Sequence, residues 1–209
     1  MKILKNLVLG LAALIGLLAV GGLLLPAQTH FERSVRIQAS PSLVYGYLNG
    51  FRQFNQWSPW AALDPNTRYS FSGPDSGVGA RQAWVSDDAN VGSGSQEIIA
   101  VTPNEQIQVM LDFGATSTEN ISAWTITPDG EGSRLAWSMT SELGMNPMNR
   151  WFGYLLLERF VGADYEKGLA ALKPVLESLA AAPAAAAAAA AEAEAPAAEP
   201  VAVEPVPAS

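Results

Sequence analysis

The sequence predicts an α+β domain in which a curved antiparallel sheet of about seven strands wraps around one long C-terminal helix. Residues 158–179 carry apolar residues mostly three or four positions apart, with charged residues between them, as in a helix that buries one face. Upstream, alternating segments separated by turn residues continue from residue 68 to residue 140, as in an antiparallel meander. This sheet is the only partner that the sequence offers for the helix, so we expect any binding site in the space between them.

The N-terminal segment predicts a membrane anchor. Residues 7–25 form an uninterrupted run of apolar residues and glycine, and about 20 helical residues span the roughly 30 Å hydrocarbon core of a bilayer. Lys2 and Lys5 precede the run and few cations follow it, which places the N-terminus in the cytoplasm and the domain outside. We therefore interpret residues 1–28 as a single-pass anchor in the inner membrane of a Gram-negative cell, with the domain in the periplasm.

The alternative for this segment is a cleaved signal peptide that releases the protein into the periplasm. Signal peptides have apolar regions of about 7–15 residues that end at a cleavage site between small residues. Here the run is longer and ends in the sequence LLLPAQ, which favours the uncleaved anchor.

The domain begins with a strand and short helices. Residues 31–39 alternate between apolar and polar, broken only by Arg33, and predict the first strand. Ser40 and Pro41 are typical of an N-cap and a first helical residue, and the short helix that they begin ends at Gly50. Residues 51–56 predict a second helical turn. His30, at the exit of the apolar segment, is expected to lie outside the fold.

Six further strands are predicted in the meander. They cover residues 68–72, 81–86, 93–101, 106–113, 121–127 and 134–140, with Gly, Pro, Asp and Asn between them. In residues 106–113 and 134–140, apolar side chains alternate with polar ones, which predicts one buried face and one face in water. Residues 144–162 are too apolar for an exposed loop, and we interpret them as a lid-like segment and the first turns of the long helix. Residues 181–209, mainly Ala, Pro, Glu and Val, predict a disordered tail that leaves residues 29–180 as the domain.

Composition excludes several kinds of chemistry. The chain has no cysteine and one histidine, which removes disulfides, thiolate nucleophiles, Ser-His-Asp catalysis and histidine-based metal sites. The formal charge is −8, and no cluster of basic residues accompanies it, so binding to nucleic acid is not expected. We expect no cofactor and no metal. A mechanism that uses Asp, Glu, Tyr or water remains open.

The order of elements and motifs resembles the helix-grip fold of the START-like superfamily, also called SRPBCC, which includes the polyketide cyclase/dehydrase family. The resemblance covers nearly all of residues 31–179. It depends on the following motifs, in chain order: Ile37, Ala39-Ser40-Pro41, Val44 and Leu48; Trp57-Ser58-Pro59-Trp60 and Asp64-Pro65; Ser72-Gly73, Gly77-Val78-Gly79-Ala80 and Trp84; Trp137-Ser138-Met139; Gly162, Asp164-Tyr165-Glu166, Gly168-Leu169 and Leu172-Lys173. The resemblance implies a deep apolar cavity between sheet and helix that holds a lipid, a sterol, a polyketide or another hydrophobic molecule. Members described as cyclases place polar side chains in this pocket, and no such residues can be matched here, so no catalytic residue is assigned.

The candidate ligand-binding residues follow from these patterns. The expected cavity wall consists of residues on the apolar faces of the strands and the long helix: Ile107, Val109, Leu111, Trp124, Leu135, Trp137, Met139, Leu169 and Leu172. Trp57 and Trp60 are expected at the cavity entrance, Trp84 on the wall, and Arg150 at the mouth, where a cation could hold an acidic head group. The competing interpretation of the tryptophans is ordinary core packing, and that of Arg150 is surface ion pairing.

Three functions are consistent with the sequence. The first is a membrane-anchored domain that binds a hydrophobic small molecule such as a lipid, an isoprenoid or an aromatic compound. The second is an enzyme of the cyclase or dehydratase type, which requires at least one ionisable group in the pocket. The third is an envelope interaction module whose cavity has collapsed, and its protein partners cannot be identified from the sequence.

Overall fold

The structure, a computed structural model, describes residues 2–114 and 119–194, with side chains as far as residue 182. In chain order its elements are α1 (Lys2–Leu24), β1 (Gln28–Ile37), α2 (Pro41–Leu48), a 3₁₀ turn (Phe54–Gln56), β2 (Arg68–Ser72), β3 (Arg81–Val85), β4 (Ser93–Thr102), β5 (Gln106–Asp112), β6 (Asn120–Asp129), β7 (Gly132–Glu142), α3 (Pro147–Phe152), a π-helical turn (Gly153–Leu157) and α4 (Glu158–Glu194). The α+β class and the predicted strands are confirmed.

The seven strands form one antiparallel sheet in the order β1-β7-β6-β5-β4-β3-β2. The chain runs as a meander from β2 to β7. β1 forms the edge of the sheet next to β7 and pairs with it along its whole length. This pairing starts β1 at Gln28 instead of residue 31. His30 therefore lies within β1, where its Nδ1 is 2.9 Å from the Thr140 hydroxyl, and the expectation that it lies outside the fold is wrong.

The inner face of the sheet packs against α4. Leu169, Leu172 and Leu176 of α4 are buried there, on a core that includes Ile37 and Leu135. Gly168 permits the close approach, because a Cβ atom at this position would lie 2.8 Å from the Trp137 ring. The predicted amphipathic helix and its partner sheet are confirmed.

Arg33 breaks the alternation of β1 for a structural reason. It occupies an inner-face position and forms ion pairs with two carboxylates of α4, at 3.2 Å to Glu158 and 2.6 Å to Glu166. The half-buried guanidinium thus fixes the first turns of α4 to the edge strand of the sheet.

The helices begin as the sequence predicts, but α4 ends later. The Ser40 hydroxyl accepts a hydrogen bond from the Leu43 amide and caps α2. α4 continues to Glu194, beyond the last residue of the predicted amphipathic helix. Alanine has the highest intrinsic helix propensity, which favours continuation of the helix beyond its packed part. The rest of the predicted tail, residues 195–209, lies outside the described residues.

α1 stands apart from the sheet and exposes its apolar side chains. Among the described residues it is the one helix that is long and apolar enough to cross a membrane, and almost none of its most apolar stretch is buried. A membrane anchor and a signal sequence both meet this criterion of length and composition.

Candidate ligand-binding cavity

A cavity of about 360 Å³ lies between the inner face of the sheet and the helical segment that begins at α3. The sheet supplies Tyr69, Gln82, Trp84, Gln96, Leu111, Asn120, Met139 and Ser141; the helical segment supplies Asn149, Phe152, Leu157, Val161 and Tyr165; the 3₁₀ turn and the loops supply Phe54, Asn55, Ser58, Trp60, Asn90, Val91, Phe113 and Leu143. Pockets for small molecules typically measure roughly 300–1,000 Å³. The volume is therefore sufficient for a small ligand.

One cross-strand row of the sheet gives the cavity a polar floor. Strand register places Gln82 of β3 opposite Gln96 of β4, Gln96 opposite Leu111 of β5, Leu111 opposite Asn120 of β6, and Asn120 opposite Ser141 of β7. All five line the cavity, and the four polar members, which we call the polar row, are buried. Two pairs of polar side chains, separated by Leu111, therefore lie in one row across a mostly apolar wall.

The two ends of the polar row differ in their hydrogen bonding. At one end the Gln96 amide donates to Gln82 at 2.6 Å, and the Gln82 amide donates to Asn55 at 3.0 Å. At the other end the Ser141 hydroxyl is buried and has no hydrogen-bond partner among the described residues. A buried hydroxyl without a partner costs about 1–3 kcal/mol, so a ligand atom that bonds to Ser141 would offset this cost.

A second buried network lies beside the cavity and involves Tyr165. The Ser122 hydroxyl donates to the Ser138 carbonyl at 3.1 Å and accepts from the Trp137 indole at 2.8 Å. The Ser122 hydroxyl has one proton, and it is donated to the Ser138 carbonyl. The Tyr165 hydroxyl, 3.1 Å away, therefore donates to the Ser122 oxygen. The Tyr165 ring stacks on Trp137 with a centroid distance of 3.8 Å.

The described lining of the cavity is uncharged. Among the residues that line it within the described ranges, none is Asp, Glu, Lys, Arg or His, and the titratable ones are Tyr69 and Tyr165. Burial raises the pKa of both tyrosines, so both phenols stay protonated at neutral pH. This lining can accept and donate hydrogen bonds, but it supplies no group that would take up a proton near pH 7.

Four of the predicted binding residues line the cavity, namely Trp60, Trp84, Leu111 and Met139. The other apolar candidates are buried in the core and do not line it: Trp57, Ile107, Val109, Trp124, Leu135, Trp137, Leu169 and Leu172. Trp57, Trp124 and Trp137 pack edge-on or tilted around Phe54, with ring centroids 4.9–6.5 Å from it. These residues fill one end of the space between sheet and α4, and the cavity occupies the other end.

Arg150 is not among the residues that line the cavity, and it has no ion-pair partner within the described ranges. It is 7% exposed, and its guanidinium donates to the backbone carbonyls of Leu23 at 2.7 Å, Leu25 at 3.0 Å and Gly144 at 2.8 Å. Leu23 and Leu25 lie at the C-terminal end of α1, where the carbonyls lack helical partners and the helix dipole is negative. Arg150 therefore joins α3 to the end of the apolar helix.

Sequence reasoning missed the polar row. The row is made of polar residues at inward positions of four strands, and each looks like an ordinary interruption of a strand pattern when it is read alone. Only the register aligns them. The sequence contained one signal. Gln82, Gln96 and Asn120 lie within or next to predicted strands, at positions that the two-residue period of a strand places on the inward face.

A sheet that wraps a long C-terminal helix and leaves a largely apolar cavity beside it defines a helix-grip protein. The chain belongs to the family described as polyketide cyclase / dehydrase and lipid transport, whose model matches residues 28–177. The resemblance predicted from the sequence is thereby confirmed. No curated protein matches the chain significantly.

Solved structures show the same fold at low sequence identity. Protein CV1439 from Chromobacterium violaceum is 15% identical, with a TM-score of 0.51 over 73% of this chain and 98% of its own. The di-domain ARO/CYC StfQ from the steffimycin biosynthetic pathway is 17% identical, with a TM-score of 0.56 over 74% of this chain and 52% of its own. Ara h 8.0201 is 13% identical, with a TM-score of 0.52 over 72% of this chain and 99% of its own. At these identities the likeness shows the fold alone.

Proposed function

We propose that this protein is a membrane-anchored binding protein for an uncharged, mostly apolar small molecule that carries at least one hydrogen-bonding group. The observation that carries the proposal is the cavity of about 360 Å³, whose described lining is apolar apart from neutral amides and hydroxyls. Burial of apolar ligand surface at roughly 25 cal/mol per Å² would drive binding without any catalytic group. A lipid, an isoprenoid or an aromatic compound with a hydroxyl or carbonyl group fits this description.

The uncharged lining supports the choice of ligand class. Transfer of a carboxylate or a phosphate from water into this space would be costly, since no described side chain in the lining would neutralise it. A hydroxyl or carbonyl group, in contrast, can bond to the polar row. Ser141 is the natural contact, because its hydroxyl lacks a partner within the described structure.

The anchor is proposed on the properties of α1. Its side chains are apolar and exposed, and Lys2 and Lys5 lie at its N-terminal end. The positive-inside rule then puts the N-terminus in the cytoplasm and the cavity on the opposite side, the periplasm of a Gram-negative cell. Release into the periplasm after cleavage of α1 is the alternative arrangement.

The other two functions have less support. A cyclase or dehydratase needs a group that gains or loses a proton near neutral pH, and the two tyrosines of the described lining have raised pKa values. A collapsed interaction module requires an interior too small for a ligand, which disagrees with the observed cavity volume. We therefore favour binding over catalysis.

The proposal can be tested with two ligands that differ only in their head group. Full-length protein in lipid nanodiscs is titrated with dodecanol and, at about pH 8, with dodecanoate, and binding is followed by tryptophan fluorescence because Trp60 and Trp84 line the cavity. Protein-free nanodiscs correct for partition into the lipid. We expect dodecanol to bind at least about tenfold more tightly, because a buried carboxylate would have no compensating cation. Equal affinity, or tighter binding of dodecanoate, would contradict an uncharged ligand.

A further inference from the structure

The segment from Met145 to Phe160 exposes an unusually apolar surface. The side chains at seven of its positions are large, apolar and 39–74% exposed: Met145, Met148, Phe152, Tyr154, Leu155, Leu156 and Phe160. We call this set the apolar shelf. Between residues 143 and 157 the single charged residue is Arg150, and it is buried. Exposed apolar patches of this kind mark surfaces that contact a membrane or another protein.

The apolar shelf is fixed to the C-terminal end of α1. Arg150 bonds to the Leu23 and Leu25 carbonyls, and the Trp151 indole donates to the Leu18 carbonyl at 2.8 Å. The backbones also meet closely, because a Cβ atom on Gly22 would lie 2.6 Å from the Cβ atom of Pro147. The exposed side chains of α3 and the π-helical turn are therefore continuous with the apolar surface of the last turns of α1.

The same segment forms one wall of the cavity. Phe152 lines the cavity and is also half exposed, and Leu157 and Val161 continue the cavity wall along the helical segment. The segment is thus apolar on the side that faces the ligand space and on the side that faces away from the protein. A molecule that left the cavity past Phe152 would pass directly onto the apolar shelf.

We propose that the apolar shelf lies in the outer interface of the bilayer that α1 spans, and that the cavity opens onto this interface. This inference rests on the proposed membrane anchor. The occupant of the shelf is lipid, because the shelf continues the surface of α1 and because its exposed charges, Glu158 and Arg159, are confined to its C-terminal end beside Phe160. An apolar ligand would then move between bilayer and cavity without crossing water.

The position of the apolar shelf can be tested with single cysteines, because the chain has none of its own. Leu155→Cys labels the shelf, and Glu131→Cys labels the exposed β6–β7 turn as a control. This turn lies at the end of the sheet away from α1, since β1 starts beside α1 and its last residue, Ile37, pairs with Ser133. Full-length protein with an environment-sensitive fluorophore at either site is reconstituted into vesicles. Their phospholipids carry bromine on the part of the acyl chain nearest the head group.

We expect the bromolipid to quench the fluorophore at position 155 and to leave the one at position 131 unchanged. Flotation of the same vesicles separates the two proposals. If the protein fails to float with the vesicles, the membrane anchor is wrong. If it floats and the two fluorophores are equally unquenched, the anchor stands, and the apolar shelf faces water or a protein instead of lipid.

The opening of the cavity has its own test. Full-length protein is irradiated in vesicles that contain a phospholipid with a diazirine on its acyl chain, and the adducts are mapped by peptide sequencing. We expect adducts on Leu155 and also on the cavity residues Phe152 and Leu157. Adducts on Leu155 without any on Leu157 would place the shelf in the bilayer but contradict an opening to it.

Discussion

The guanidinium of Arg150 donates a hydrogen bond of 2.7 Å to the backbone carbonyl of Leu23, at the end of the apolar N-terminal helix. A buried cation is costly unless it is paired, and this one has no carboxylate partner among the described residues. It is satisfied by carbonyls at the negative end of a helix dipole. The domain and the apolar N-terminal helix are thereby joined by specific contacts.

Arg150→Met is therefore expected to destabilise the full-length protein. The substitution removes several charge-assisted hydrogen bonds and leaves the carbonyls of Leu23 and Leu25 without this donor, so we expect a loss of about 2–4 kcal/mol in the free energy of unfolding. Urea unfolding in detergent micelles measures it. Arg159→Met is the matched control, since Arg159 is exposed, and it should change stability by less than about 0.5 kcal/mol. Equal effects of the two substitutions would contradict the role of Arg150.

The Ser122 hydroxyl is expected to hold the stacked pair of Trp137 and Tyr165 in place. Ser122→Ala leaves the Trp137 indole and the Tyr165 hydroxyl without their shared acceptor in the core, which should cost about 2–4 kcal/mol in the free energy of unfolding. Ser138→Ala is a suitable control, because Ser138 contributes only its backbone carbonyl to this network. A cost below about 0.5 kcal/mol for Ser122→Ala would show that the network contributes little to stability.

Asp64 predicts a specific loss of stability in acid. A hydrogen bond from the Ser86 hydroxyl, helped by one from the Asn66 amide, lowers the pKa of Asp64. Because the folded-state pKa lies below the unfolded one, Asp64 contributes stability above its ordinary pKa of about 4, and this contribution is lost as the pH falls through the lowered value. Asp64→Asn should reduce the difference in unfolding free energy between about pH 6 and pH 3.

The control for Asp64→Asn is a variant that removes one carboxylate charge at another position. Asp87→Asn alters an exposed carboxylate in the β3–β4 turn. If both variants keep the pH dependence of the wild type, the hydrogen bond from Ser86 does not favour the charged form of Asp64 in the folded state.

The sequence predicts the elements well because their signals are local. Alternation and turn residues locate β2 within residues 68–72, and Ser40-Pro41 locates the start of α2. The cavity depends on contacts between residues distant in sequence, and its polar floor exists only because the register aligns residues from Gln82 to Ser141. Apolar inward residues also do not reveal which of them meet a space and which meet one another. Ile107 and Leu111 share one face of β5, yet only Leu111 lines the cavity.

Arg150 illustrates the same limit. A cation in an apolar segment suggests an acidic partner or ligand, but Arg150 bonds to backbone carbonyls, two of which lie more than a hundred residues away in the chain. Backbone carbonyls carry no signature in the sequence, so no residue pattern could have identified them. His30 is a simpler case, since only the pairing of β1 with β7 extends the strand to include it.

The most direct test of the proposed function is to identify what the cavity contains. Full-length protein is purified from its native membrane, extracted with organic solvent and examined by mass spectrometry, beside two variants. Leu111→Trp fills the cavity from the middle of the polar row, whereas Met110→Trp makes the same change one residue earlier, on the outer face of the same strand. We expect one uncharged, mostly apolar compound to be enriched with the wild type and Met110→Trp and lost from Leu111→Trp. An extract that is equally empty for all three, or a compound that Leu111→Trp retains, would contradict a ligand in this cavity.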